Sequence, residues 1–290
     1  MIKNIKNSSD IIFKNSALMQ PVILFILFIM FFNMFMGNNV LYNPKMGIIF
    51  ILLTVLLFSA FLSGWLYMVK WAVDNYKPFD KSDSEYAVKI GKYNIDTLKK
   101  FFIGVGEYFI PIVIVVVLSI IISDFLIYCG LKLFHIGSLD FLIKTLSSQT
   151  VKDLPVINNN QLIFLGYITL VTFVFHYLTL FWLPEIFYKT RNSFFAFFKS
   201  IGFLFRHFLT SCILYVFLIF CFFAFQIVSI FAMFNQILVL IMFILFLYLI
   251  AYSFVLIFMT YKNILLKNEI QKINEKDVFV KSNKEDDNVL

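Results

Sequence analysis

Five residues in one apolar stretch have types and spacing that could do chemistry. Gly166, Thr169, Thr172, His176 and Thr179 step by three, three, four and three, which aligns them along one face of an α-helix. An imidazole among hydroxyls inside a membrane span could form a hydrogen-bonded route, and histidine is the side chain most readily titrated near neutral pH. Small and hydroxylated residues on one face are also what two closely packed helices use. The stripe therefore reads as a polar path or a packing seam. Asp124, in another apolar run, stands about 24 Å along its helix from Tyr108 and offers a second end for such a path.

Other chemistries lack their residue sets. No phosphate-cradling Gly-rich loop with a following Lys-Ser or Lys-Thr occurs, and no His-Glu-x-x-His. His135, His176 and His207 fall in different segments, and Cys129, Cys212 and Cys221 show neither paired spacing nor histidine partners. Ser63-Gly64 has no accompanying base or oxyanion donor set. The expectation is a protein with no metal, no cofactor and no enzymatic activity.

The elements that must position the stripe follow from composition. Hydrophobic residues make up 61% of the chain, charged residues 14%, and the mean hydropathy is +0.89. A soluble domain is nearer half apolar and a quarter charged, so lipid must be the solvent. The richness in Phe, Ile, Asn, Lys and Tyr suits an AT-rich coding sequence, so the 40 Phe do not by themselves mark an aromatic site. Apolar runs at residues 17–36, 46–69, 108–129, 162–183, 208–233 and 237–261 predict six spans. The third, about 22 residues, covers roughly 33 Å as a helix. The first has no small-residue cleavage site and reads as an uncleaved span. Turn residues at Gly37-Asn38-Asn39 and Asn43-Pro44 separate the first two spans, and Phe234-Asn235-Gln236 the last two.

The connections carry the charge. A lysine-rich stretch fills residues 70–100, and its second half (86–102) has the partial periodicity of an interfacial helix before span three. A second such helix, basic and Phe-rich, is expected over 192–208 before span five. On the other face, residues 130–160 form the longest connection, part of it resting on the membrane. Of the 24 basic residues, 20 fall on one side of the six-span layout. This asymmetry places both termini in the cytoplasm. The net charge of +7 thus reads as orientation rather than as a nucleic-acid surface. Residues 1–265 form the membrane domain, and 266–290 a charged cytoplasmic tail.

Gly64-Trp65-Leu66, Pro78-Phe79-Asp80 and Phe102-Ile103-Gly104 resemble an uncharacterised group of prokaryotic six-helix membrane proteins. Leu183-Pro184-Glu185, with Ala196, Lys199-Ser200 and Phe205 downstream, is similar to a pattern in related multi-pass proteins. These include the membrane domain found beside glycerophosphodiester phosphodiesterases. The resemblance implies the architecture and a bacterial inner-membrane location, and it brings no catalytic residue with it.

The expected class is an all-α membrane protein with six transmembrane helices in three hairpins and interfacial amphipathic helices, in the cytoplasmic membrane. The expected function is non-enzymatic: organising, scaffolding or assisting other membrane components, with membrane lipids and membrane-protein partners and no nucleic acid. The alternative is a small permease or channel-like transporter with a polar path along span four.

Overall fold

The computed structural model describes residues 1–42, 44–77, 85–136, 158–232 and 235–286, and every regular element among them is helical. Helix α1 (Ile2–Lys14) is amphipathic and buries Ser8, Ile11 and Ile12. A short 3-10 turn (Ser16–Leu18) leads into α2 (Gln20–Tyr42), and the chain bends there by 84°. Polar bonds hold this corner. Asn15 Nδ2 donates to Thr97 Oγ1 at 2.7 Å, Ala17 N to Asn94 Oδ1 at 3.0 Å, and Trp65 Nε1 to the Leu18 carbonyl at 2.8 Å.

Helix α3 (Pro44–Asn75) starts on a proline, whose fixed φ and missing N–H suit a first helical position. Helix α4 (Tyr86–Leu133) runs unbroken for 48 residues, about 72 Å. These two helices make the most extensive contact in the fold, and the reason is local. A Cβ on Gly104 would lie 2.5 Å from Tyr67 Cβ and 2.7 Å from the Ser63 carbonyl oxygen. Only glycine permits that approach. In lipid, helices associate through close packing rather than hydrophobic exclusion, so such contacts decide which helices pair.

Helix α5 (Asn159–Leu178) opens with a capping box between Asn158 and Gln161, and Phe164 is its one buried residue. It meets α4 where a Cβ on Gly130 would sit 2.5 Å from Tyr167 Cε1. Then come the short α6 (Trp182–Tyr188), α7 (Ser193–Arg206), α8 (Phe208–Ala232) and α9 (Gln236–Asp286). The core gathers Trp65, Leu66, Met68 and Val69 of α3 with Ala251, Val255, Leu256 and Phe258 of α9, and with Phe181, Trp182 and Phe187. Helix α1 lies on α9, where Asn263 Nδ2 donates to Asn4 Oδ1 at 2.7 Å.

Among the described residues, five helical segments are long and apolar enough to cross a membrane: Gly47–Asn75, Tyr86–Leu133, Asn159–Tyr188, Phe208–Ala232 and Gln236–Gln271. The bent pair Ile2–Lys14 and Ser16–Phe32 makes a sixth if counted as one span.

Several boundaries differ from the sequence expectation. Gly37-Asn38-Asn39 does not end α2, which continues to Tyr42, and Asn43 lies outside the described residues. The interfacial helix expected over 86–102 is not separate from span three, because Gly91, Gly104 and Gly106 are accommodated inside one helix. The second interfacial helix is a distinct element, α7. Span four continues past Leu183 to Tyr188, with a turn inside it. Pro184 cannot donate to the Leu180 carbonyl, and the chain turns at residues 179–181 before α6. Helix α9 passes without a break through residue 266, the expected start of the charged tail, which continues span six as a helix. Residues 137–157, including the expected membrane-resting part of the long connection, lie outside the described residues.

The α3–α4 crossing yields a direct test. Gly104→Ala should cost about 1–3 kcal/mol through overpacking. Gly106→Ala, where an added Cβ meets nothing within 4 Å, should be close to neutral. Thermal unfolding in detergent compares the two.

Candidate functional site

Polar and charged side chains gather around the Leu183-Pro184-Glu185 segment. Pro184 breaks the helix ahead of it, so α6 turns inward and carries the Glu185 carboxylate into the core at 5% exposure. There Glu185 accepts a short hydrogen bond from the Tyr261 hydroxyl of α9. The neighbouring Trp182 Nε1 donates to the Ser193 carbonyl at 2.8 Å, and Ser193 Oγ donates to the Pro111 carbonyl at 2.6 Å. One segment thereby fastens α4, α7 and α9.

Charged groups surround this bond in pairs. Asp74 accepts from the Tyr188 hydroxyl at 3.0 Å and pairs with Lys262 at 3.0 Å, joining α3, α6 and α9. Lys70 Nζ stands over the Tyr188 ring at 5.3 Å and the Tyr67 ring at 5.7 Å. Arg191 bonds Glu107 at 2.8 Å and lies over the Tyr108 ring at 5.3 Å. Tyr108 in turn stacks between Tyr67 and Phe187, at 5.5 and 4.3 Å. Glu107 thus has a cation of its own. That pair is 64% and 39% exposed, so it adds little to stability. Each of these carboxylates is engaged by a hydroxyl or a cation. The arrangement is suited to clamping helix ends together. Among the described residues, no three His, Cys, Asp or Glu side chains converge as a metal site would require.

The span-four residues are divided by the fold. Thr172, His176 and Thr179 line an open cleft of about 340 Å³, shared with Ser119 and Ser123 of α4. His176 also borders a second cleft of about 570 Å³, in which Thr54 of α3 and Ser119 take part. Hydroxyls from three helices therefore collect around one imidazole. Gly166 and Thr169 lie beyond these clefts on an exposed face, and a Cβ on Gly166 would meet nothing within 4 Å. Thr169 Oγ1 donates to its own helix at Leu165 O, 2.8 Å away, and Thr179 Oγ1 does the same to Phe175 O at 2.8 Å. Asp124 is exposed on α4 and lines neither cleft. The stripe is thus not buried against another described helix along its length; its lower three residues face the cleft.

His207 sits between α7 and α8, its ring tilted at 52° against Phe203 with centroids 4.8 Å apart, and it faces Asn268 Nδ2 at 3.2 Å. Burial, and then the adjacent Arg206 cation, hold its pKa below the ordinary value.

Sequence reading did not single out Asp74, Tyr188, Tyr261 or Lys262. Their signal lay in position rather than motif, since Tyr261 ends an apolar span and the other three follow one within a turn or two. Glu185 entered only through a resemblance. Comparison with protein-family models, curated proteins and solved structures finds no match.

Two outcomes are expected. Tyr261→Phe leaves the buried Glu185 without its donor and should cost about 1–3 kcal/mol, read by denaturant titration in detergent. Glu185→Gln keeps an acceptor there and should cost less. For His207, a lowered folded-state pKa means that the unfolded chain binds the proton more tightly. Stability from this site is complete above the ordinary value of about 6.5 and is lost as pH falls below it. The melting temperature should drop between about pH 7.5 and 5.5, and His207→Gln should flatten that dependence.

Proposed function

We propose that this chain is a non-enzymatic integral membrane protein that organises lipids and protein partners around its basic, aromatic end. Helix α7 carries the argument. It turns Ser193, Ala196, Ser200 and Leu204 into the bundle, while Phe194, Phe195, Phe198 and Phe205 are 57%, 62%, 57% and 61% exposed. Lys199 lies over the Phe195 ring at 5.9 Å, and Arg206 closes the last turn. A helix packed through its small residues, with open phenyl rings beside cations, suits the boundary between headgroups and acyl chains.

The layout that accompanies this reading has six spans in three hairpins. Both termini and the lysine-rich connections face the cytoplasm, where anionic lipid contributes about 1 kcal/mol per well-placed cation. The resemblance to multi-pass proteins through Leu183-Pro184-Glu185 supports the same layout.

A second reading, a small permease or channel-like protein, draws its support from the hydroxyls collected around His176. The two readings separate experimentally. Native mass spectrometry of the protein released from its membrane should find lipid or protein partners attached. Replacing Phe194, Phe195 and Phe198 with Ser should reduce lipid adducts severalfold without lowering the melting temperature. A bare chain with no adduct would overturn the organising role. Thr172→Cys and His176→Cys reacting with an impermeant thiol reagent, with protection by a transported solute, would establish the permease instead.

A further inference from the structure

A groove of about 580 Å³ opens on the flank of the bundle between α2, α3 and α4. Its lining is almost wholly apolar: Leu24 and Phe25 from α2, Phe61 from α3, and Phe101, Phe102 and Val105 from α4. The walls are fixed by packing. Phe25 and Phe61 stack at 4.2 Å, and Phe61 continues onto Trp65 at 5.9 Å. Phe101 presses on Gly64 so closely that a Cβ there would stand 2.8 Å from its ring. The lips are open, with Leu24 67% and Phe102 80% exposed. A groove of this size, preformed and apolar, is within the range that holds a lipid-sized ligand.

One end of the groove is polar. Gln20 lines it at the start of α2 and is exposed. Lys99 is not itself a lining residue, but it follows the lining residue Leu98 and precedes the lining residue Phe102 by one helical turn. Its Cα–Cβ bond tilts toward the helix start. Lys100 is engaged over the Trp71 ring at 5.7 Å, whereas Lys99 is 70% exposed and meets Asp96 at 3.8 Å. Between Tyr86 and Lys100, α4 carries Lys89, Lys92, Lys99 and Lys100 against Asp96 alone. An apolar slot with a cation at one end has the chemistry of an anionic amphiphile's complement.

We infer that this groove binds one anionic glycerophospholipid, an acyl chain lying along Phe25, Phe61 and Phe101 and the phosphate meeting Lys99 and Gln20. The inference rests on the reading of the basic, aromatic end as a lipid-facing surface, and it names a single site apart from α7.

The full chain, delipidated in detergent, would be titrated with phosphatidylglycerol and with phosphatidylcholine of the same acyl chains, with native mass spectrometry as readout. One phosphatidylglycerol should be retained in preference by about fivefold, the preference expected from one well-placed cation. Lys99→Gln should abolish the preference while leaving residual binding of both lipids. Leu24→Trp, which fills the slot from an exposed position, should reduce both. Val105→Trp repeats that test from the opposite wall should the first variant melt early. Equal retention of the two lipids by the native chain, a preference surviving Lys99→Gln, or unchanged binding in both filled variants would overturn the site. Replacing the α7 phenylalanines should leave the phosphatidylglycerol preference intact. If those replacements abolish adducts while the groove variants do not, the organising role stands and the groove site falls.

Discussion

Where α3 crosses α4, a single methyl on Gly104 would collide with Tyr67 and with the Ser63 carbonyl. Lipid is as apolar as leucine, so apolar area alone does not select one helix pairing over another. Backbone-close contact does, because dispersion falls away within a fraction of an ångström. The crossing sets the spacing from which other contacts follow. It places Tyr67 against Tyr108, Phe101 against Gly64, and the carbonyl of Pro111 within reach of Ser193. Shift α4 by one turn, and those three contacts are lost together.

At the end of the bundle that this crossing organises, charge is neutralised locally. Asp10 accepts from the Tyr76 hydroxyl at 2.5 Å and pairs with Lys14 at 2.8 Å, Asp74 pairs with Lys262, and Glu107 with Arg191. Tyrosine hydroxyls serve where a second cation would be crowded, as at Glu185 and Asp74. A tyrosine brings a ring that packs in an apolar setting and a donor at its tip, which suits carboxylates near a membrane boundary. The lysines left more exposed, such as Lys99, are then available to the surroundings rather than to the bundle.

The membrane class was legible because long apolar runs leave few alternatives, and α7 was legible because its cations and phenyl rings recur within fourteen residues. Asn158 is the cap of α5. Gly166, Thr169, Thr172 and His176 all lie on α5, and Thr179 is its C-cap. The surroundings of this stripe could not be read, because which neighbour covers a face depends on glycines in other helices. The N-terminal helix was missed although Ile5, Ser8, Ile11 and Ile12 have its spacing, since three lysines and an aspartate concealed it. The pairing of Glu185 with Tyr261 joins positions 76 residues apart, a distance at which local pattern carries no information.

Helix α1 has a consequence for synthesis. Ser8 bonds Met259 at a separation of 251 positions, and Asn4 bonds Asn263 at one of 259. Helix α1 must therefore wait for the far part of α9 before it can dock there. At about 5–20 residues per second, that interval is roughly 13–50 s. Throughout it the face of α1 that packs on α9 lacks that partner, and a bilayer surface suits such an amphipathic helix. A chain truncated before Met259 would leave α1 without this docking surface.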